Sequence, residues 1–367
     1  MILIVTQTFA PAKGGMEAYM TGLAEALVRA GNEVEVFADG RAGEALSPPY
    51  SLRRFVGWRP FRRWKKRRAV ASLARKKTIE GVFCDSWKSV EALPKNFPAP
   101  IVVLAHGAEY PLRPSGRKKR RIGEALARSA AILVNSRFTK SVVEPYVPKP
   151  DDPRLKIVHP PIDPLPEPSF EAREAMRLKI RDRHPVISVL ARLEPRKGVD
   201  RIISAMPSIV EHYPSAVFLV GGKGADEPRL RELMCEKGMG DHVEFLGVLD
   251  NDAKAGLFSA SDVFAMPVRR EGRSVEGFGI SYIEAGWYGV PSLGGKGSGA
   301  EDAVIDGRTG FLCDGESAED VASKLKALLD NASLRRDFGL AAKKRVCDEL
   351  LWDKSLPRFL GAMRMRA

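Results

Sequence analysis

Long hydrophobic runs are missing from this sequence of 367 residues. The longest, Met1–Val5, Ile101–Ala105 and Ala130–Val134, fall far short of the roughly 18–20 residues that a membrane-spanning helix needs. Met1–Val5 also lacks a basic start and an extended apolar stretch, so it does not read as a secretory signal, and a cytoplasmic location is expected. Cysteine is scarce: Cys84, Cys235, Cys313 and Cys347 stand far apart, with no Cys-x-x-Cys pair and no histidine at zinc-ligand spacing. That excludes a disulfide framework and a structural zinc site. With 44% hydrophobic and 29% charged residues the chain is an ordinary globular one. At about 150 residues per domain, its length suits two domains with a core each.

Acidic residues are missing where positive charge is densest. From Ser51 to Lys77 there are twelve Lys and Arg and no Asp or Glu; setting that segment aside takes the net charge from +13 to +1. A second cluster, Arg113 with Arg117–Arg121, adds six cations. The body of the protein is therefore nearly neutral and carries a local basic patch, which implies an anionic partner. Trp58, Phe61 and Trp64 interleave with the basic residues, and their spacing after Pro60 puts aromatics on one helical face. An interfacial membrane helix has this pattern. Single-stranded nucleic-acid binding uses the same ingredients, and a solvated surface helix with inward-packed aromatics is the plain alternative.

Secondary-structure signals alternate along the chain. A strand at Met1–Gln7, a Pro- and Gly-rich turn, a helix at Met16–Ala30 and a strand at Glu33–Ala38 form a β-loop-α-β unit of a parallel sheet. Short apolar runs at Gly81–Cys84, Ile101–Leu104, Ala131–Val134 and Leu155–Val158 read as strands buried on both faces. Pro160, Pro161, Pro164, Pro166 and Pro168 then mark a linker. After it the pattern restarts, with strands at Val186–Leu190, Ala216–Val220, Val243–Leu246, Val263–Met266 and Pro291–Leu293. Helices separate these strands, and more helices, at Ala318–Asn331, Leu334–Glu349 and Leu350–Met365, follow the last of them. Two β/α domains in tandem are expected to face each other across a cleft, with ligands at the carboxyl ends of their strands.

Three strand-following loops carry chemistry. Pro11–Glu17 places Gly14 and Gly15 at a helix start, where free N–H groups and the helix dipole favour an anion. Ala191–Gly198 (ARLEPRKG) places Arg192 and Lys197 around a rigid turn, suited to a diphosphate and to the charge that develops as it leaves. Glu276–Glu284 (EGFGISYIE) leads through Gly277 and Gly279 into a helix, with Glu284 placed for ribose hydroxyls and Glu276 for sugar hydroxyls. As a glycosidase pair these carboxylates would stand about 12 Å apart along a helix, at about 1.5 Å per residue, against the roughly 5–5.5 Å a retaining hydrolase needs. Asp250-Asn251-Asp252 matches the Asp-x-Asp of metal-dependent transferases, but it directly precedes a helix and reads as a cap. The Gly294–Gly299 run lacks a P-loop ending and reads as a loop facing phosphate or sugar.

In this order, GGMEAY, ARLEPRKG, SASDVFAMP, EGFGISYIEAGWYGVP and DGRTGFL resemble the family 4 glycosyltransferases of the GT-B fold along nearly the whole chain. The similarity is greatest to the phosphatidylinositol mannoside mannosyltransferases. It implies two Rossmann-like doubly wound α/β domains: an acceptor-side domain over 1–168, a nucleotide-sugar domain over 169–348, and a C-terminal helix over 349–367 crossing back to the first. It also implies retaining transfer of a hexose, mannose favoured, from a nucleotide diphosphate sugar, with GDP-mannose favoured over a UDP sugar. The acceptor would be lipid-linked or a cell-envelope glycan. Arg192 and Lys197 would hold the donor phosphates, Glu276 with Gly277, Phe278, Gly279 and Ile280 the sugar, Glu284 the ribose, and Gly14 and Gly15 the diphosphate. His106, ending IVVLAHG, corresponds to the family's histidine near the reacting sugar, so His106, Arg192, Lys197 and Glu276 are the expected catalytic group. Ala108 stands where the family often has a polar residue. No metal or other cofactor is expected if the two cations neutralise the leaving group. On this background membrane docking is favoured over nucleic acid. Arg62, Arg63, Trp64, Lys65, Lys66, Arg67 and Arg68 would meet anionic lipid at the inner membrane face, at about 1 kcal/mol per basic residue. The alternative is a basic nucleic-acid- or membrane-binding protein on a vestigial fold, without transferase activity.

Overall fold

The computed structural model describes the whole chain except Lys13, residues 41–47, Leu112, Pro150, Arg273, Arg366 and Ala367. It divides into two units, Met1–Asp163 with Leu351–Ala367, and Pro164–Leu350. The first holds a seven-stranded parallel sheet: β1 Ile2–Thr6, β2 Val34–Asp39, β3 Ser51–Phe55, β4 Gly81–Cys84, β5 Ile101–Ala105, β6 Ala131–Val134 and β7 Leu155–Ile157. Its order is β3-β2-β1-β4-β5-β6-β7. The second holds a six-stranded parallel sheet: β8 Val186–Leu190, β9 Val217–Gly221, β10 Val243–Gly247, β11 Val263–Met266, β12 Ser292–Gly295 and β13 Gly310–Cys313. Its order, β10-β9-β8-β11-β12-β13, repeats the pattern of the first. Both are doubly wound: the chain walks outward from one central strand, returns, and walks out the other way.

The inner strands follow from composition. ILIVT, IVVLA and AILV are buried along their whole length, as are VISVL and VFAM in the second sheet. Strands covered by helices on both faces need such runs. The edge strands escape the same test. In β3, SLRRF, only Phe55 is buried, so its sequence shows no apolar run.

Residues 164–168 belong to the second unit, so the break falls at 163/164 rather than 168/169. The Trp287 indole N–H donates to the Leu165 carbonyl at 3.0 Å and the Tyr288 hydroxyl to that of Pro166 at 2.6 Å. At the far end the chain rejoins the first unit at Leu351. The C-terminal helix Trp352–Met363 packs on the helix Gly15–Arg29, with Trp352 2% exposed.

The basic segment forms the helix Arg59–Lys76, with its aromatics turned outward. Trp58 is 78% exposed, and Phe61 and Trp64 stack on each other at 5.5 Å between ring centroids. Lys65 Nζ lies 4.5 Å from the Phe61 ring, and the Arg68 guanidinium 4.8 Å from that of Trp64. Lys66 does not join this face. It is buried, with Nζ 2.6 Å from Asp39 and 2.9 Å from the Thr6 carbonyl. Burial pulls its pKa down and the Asp39 carboxylate opposes that. Arg62 pairs with Asp39 at 3.0 Å, Arg63 with Glu91 at 2.9 Å, and Arg67 donates to the Glu91 carbonyl at 2.7 Å. The outward face is therefore Trp58, Phe61, Trp64, Lys65 and Arg68, and Lys66 is a structural cation, because one side of an amphipathic helix must meet the sheet. Breaking a buried ion pair leaves a charge without its partner. Lys66→Ala is expected to lower unfolding free energy by about 3 kcal/mol, and Lys65→Ala by less than about 0.5 kcal/mol, as measured by urea denaturation.

Candidate active site

In the second sheet the order reverses between β8 and β11. Ligands of open α/β sheets bind outside the carboxyl ends of the strands at such a point. Ala191–Gly198 follows β8, and the loop up to Gly279 follows β11. The first of these loops rests on the turn after β9, where the Leu193 N–H donates to the Lys223 carbonyl at 3.1 Å. Gly222 has φ +116°, and a Cβ there would lie 1.8 Å from the Ala191 carbonyl oxygen. The second loop is held by Gly299, whose N–H donates to the Glu276 carbonyl at 2.8 Å. A Cβ on Gly299 would fall 1.8 Å from the Gly277 oxygen. The Gly294–Gly299 run thus serves close backbone packing that fixes the loop carrying Glu276 and Gly277.

Glu276 sits in a cage of charge. Lys197 Nζ donates to its carboxylate, and Arg196 Nη1 does so at 2.9 Å. Burial alone would push this carboxyl up. The adjacent Lys197 and Arg196 more than reverse it and hold its pKa at about 2. Arg196 also reaches Glu194 at 2.8 Å, and its N–H donates to Glu271 at 3.1 Å. Arg192 is 66% exposed and meets Glu194 at 3.3 Å. Gly279, at φ +92°, starts the helix Ile280–Trp287, with Phe278 buried and Ile280 at the first turn. One turn on, Glu284 has Lys254 Nζ 3.9 Å away; burial raises its pKa and Lys254 opposes. The Ser281 hydroxyl donates to the Leu190 carbonyl at 2.9 Å, tying this helix to the end of β8.

The first sheet reverses between β1 and β4. After β1, Gly14 caps the helix Gly15–Arg29 and Gly15 opens it, exposed; Lys13 of this loop lies outside the described residues. After β4 comes Asp85, buried, accepting from the Thr6 hydroxyl at 2.9 Å, the Gln7 N–H at 2.6 Å and the Ser89 hydroxyl at 2.5 Å. His106 follows β5, its N–H donating to Glu109 at 2.9 Å. Its Nε2 is buried with no hydrogen-bond partner among the described residues. Burial lowers its pKa well below the ordinary value, with Asp85 opposing, so the imidazole is neutral at physiological pH. Burial also raises Glu109, to about 7. The Asp-x-Asp stretch has other work: Asp250 accepts from the Ala253 N–H at 2.9 Å as a helix cap, and Asp252 holds the Ser169 N–H at 2.8 Å.

Comparison with known proteins places the chain in a family. A family model for "Glycosyl transferases group 1" matches residues 171–345, and one for "Glycosyltransferase Family 4" matches residues 13–164. The chain is a GT-B glycosyltransferase. A GDP-mannose-dependent alpha-(1-6)-phosphatidylinositol monomannoside mannosyltransferase of Mycolicibacterium smegmatis is 29% identical to this glycosyltransferase, over 96% of this chain and 95% of its own. A GDP-mannose-dependent monoacylated alpha-(1-6)-phosphatidylinositol monomannoside mannosyltransferase of Corynebacterium glutamicum is 37% identical over 187 residues, 50% of this chain and 48% of its own. Among solved structures, the sucrose-phosphate synthase of Thermosynechococcus elongatus has a TM-score of 0.80 at 22% identity, over 99% of this chain and 98% of that one. Anabaena HepE in complex with UDP has a TM-score of 0.77 at 16% identity, over 98% of each chain. No helix among the described residues is long and apolar enough to cross a membrane.

Within this glycosyltransferase the second unit gathers Lys197, Glu276, Gly277, Phe278, Gly279, Ile280 and Glu284 around one strand-order reversal, with Arg192 at its rim. Sequence reasoning passed over Arg196, the neighbour of Lys197 in PRKG, and Asp85 and Glu109 in the first unit. Asp85 had a signal, an acid directly after the buried run Gly81–Cys84. Arg269, at the start of the basic loop before Glu276, pairs with Asp200 at 2.7 and 2.9 Å; Arg273 of that loop lies outside the described residues. The Glu276 cage has a pH consequence. A carboxyl held at about 2 instead of the ordinary 4.5 stabilises the fold above pH 4.5 and loses that contribution as pH falls toward 2. The shift corresponds to roughly 3 kcal/mol. Urea midpoints of the natural protein are expected to fall more steeply over that window than those of Glu276→Gln; parallel curves would refute the cage.

Proposed function

We propose that this glycosyltransferase moves a mannosyl group from GDP-mannose, with retention of configuration, to a lipid-linked or cell-envelope glycan acceptor at the cytoplasmic face of the membrane. The observation that carries the donor half is the cage of Arg196, Lys197 and Glu276 at the β8/β11 reversal, in the loop that leads into the helix bearing Glu284. Arg196 and Glu276 hold Lys197 in place, so Lys197 from the cage and Arg192 from its rim would meet the diphosphate. Glu276 and the Gly277–Ile280 backbone then receive the sugar, and Glu284 the ribose hydroxyls. From the first unit, the family resemblance assigns Gly14 and Gly15 to the diphosphate and His106 to the reacting sugar. The imidazole is neutral and its buried Nε2 has no hydrogen-bond partner among the described residues, so a sugar hydroxyl reaching it would find an unpaired atom.

Glu276, paired with two cations, is a weak nucleophile, which favours substitution on one face over double displacement. The bond from the anomeric carbon to the phosphate oxygen breaks as the acceptor oxygen bonds to that carbon. The acceptor proton passes to the departing diphosphate. Lys197 and Arg192 neutralise that leaving group, so the reading requires no metal. The names of the mannosyltransferase relatives support GDP-mannose. A UDP sugar is the second reading, favoured by the UDP held in Anabaena HepE.

A thermal-shift series with GDP-mannose, GDP-glucose, UDP-glucose and ADP-glucose tests the donor. GDP-mannose is expected to raise Tm most, since a ligand bound to the folded state stabilises it. The shift should vanish in Lys197→Ala and Glu284→Ala. A larger shift with a UDP sugar would overturn the GDP reading. For the membrane half, vesicles containing anionic phospholipid should float the protein, and vesicles of phosphatidylcholine alone should not. Replacing Trp58, Phe61, Trp64, Lys65 and Arg68 by Ser, with Lys66 kept, should abolish flotation; unchanged flotation would sink the docking face.

A further inference from the structure

Trp352 stands where the chain has just re-entered the first unit at Leu351. Its backbone is pinned to the first passage between the units. The Trp352 N–H donates to the Ile162 carbonyl at 3.1 Å, and Leu351 forms a parallel bridge with Ile162. Its indole is buried against the helix Gly15–Arg29, where a Cβ on Gly22 would lie 2.3 Å from Nε1. On that helix Tyr19, also buried, stacks on Trp352 with centroids 5.6 Å apart and planes at 27°. Tyr19 meets the His106 ring edge to face, at 5.5 Å and 90°. Phe359, two turns further along the same face of the C-terminal helix, closes the cluster at 5.4 Å from Trp352 and 6.2 Å from Tyr19. An aromatic wall therefore runs from the inter-unit passage to the imidazole. No hydrogen bond among the described residues holds His106 at Nε2, so packing has to orient that atom.

We propose that Tyr19 and Trp352 are positioning residues: their stack holds the His106 imidazole in the orientation used during transfer, and makes that orientation depend on the C-terminal helix. The proposal rests on the reading of His106 as a group near the reacting sugar. The wall also accounts for the desolvation of the ring, whose titratable neighbours are Asp85, Glu109 and Tyr19. A misplacement of about 1 Å in such a group costs on the order of 100-fold in rate. Loss of one member of the stack, with the rest in place, should cost less.

The test compares Trp352→Leu, which keeps apolar bulk and removes the stack, with Trp352→Phe, which keeps a ring. Both are made alone and combined with His106→Ala. Transfer kcat and donor KM are measured, and the imidazole signals of the five histidines are titrated by NMR, with His106 assigned by its loss in His106→Ala. Trp352→Leu is expected to lower kcat about tenfold with donor KM within about twofold, and Trp352→Phe to recover most of it. Trp352→Leu should cost nothing further in the His106→Ala background. The His106 titration should move up toward the ordinary histidine value as water reaches the ring. Losses that multiply in the double variant, or an unmoved His106 titration, would show that the stack is only structural and overturn the inference. Full kcat in His106→Ala would instead overturn the role of His106, and the titration alone would then decide whether the stack orients the ring. Should Trp352→Leu fail to fold, Tyr19→Leu enters the same cycle.

Discussion

Parallel strands cannot be joined by hairpins. Each crossover returns over the face of the sheet, and every loop that follows a strand collects at one edge. Where the winding reverses, two neighbouring strands send their loops apart and leave a crevice. This constraint acts twice in the chain, at β1/β4 and at β8/β11, and every residue assigned to donor chemistry follows a strand at or beside one of those points. The chemistry is local to the reversal; the remaining strands and helices hold it rigid.

Rigidity at the donor site comes from backbone lying on backbone. Gly222 under Ala191 and Gly299 under Gly277 bring two pairs of loops so close that any side chain at either position would collide with a carbonyl. With the loops fixed, Lys197, Arg196 and Glu276 hold one another at short range with little conformational freedom left to lose. The cage also solves an electrostatic problem. Lys197 and Arg196 repel each other, and the Glu276 carboxylate between them offsets that.

The basic helix shows how net charge misleads when read without depth. Of the cations in its most basic stretch, Lys66 is an internal counter-ion to Asp39, and Arg62 and Arg63 are tied to acids from outside the segment. What remains outward is a stacked aromatic pair with Lys65 and Arg68 over its rings, and the isolated Trp58. The same helix anchors the strand ends, since Lys66 donates to the Thr6 carbonyl and the Thr6 hydroxyl to Asp85.

Buried strands such as Val186–Leu190 and Val263–Met266 were legible in full, because a strand covered on both faces must be apolar throughout. The edge strand Ser51–Phe55 was hidden inside the basic run, and the helix Phe170–Ile180 carries a single buried residue, Met176; neither needs the pattern that betrays an inner element. At the site, residue types and their spacing singled out Lys197, Glu276 and Glu284, since phosphate, sugar and ribose each require particular groups after particular strands; His106 came only from the family resemblance. The sequence by itself thus determined the fold class and the order of the loops that follow its strands. Only tertiary structure decided that Arg196 joins the cage, that Lys66 faces inward, that Asp85 braces the end of β1, and that Trp352 reaches His106 through Tyr19. Those facts depend on pairs of residues far apart in the chain, and burial and charge pairing exist only once both partners are in place.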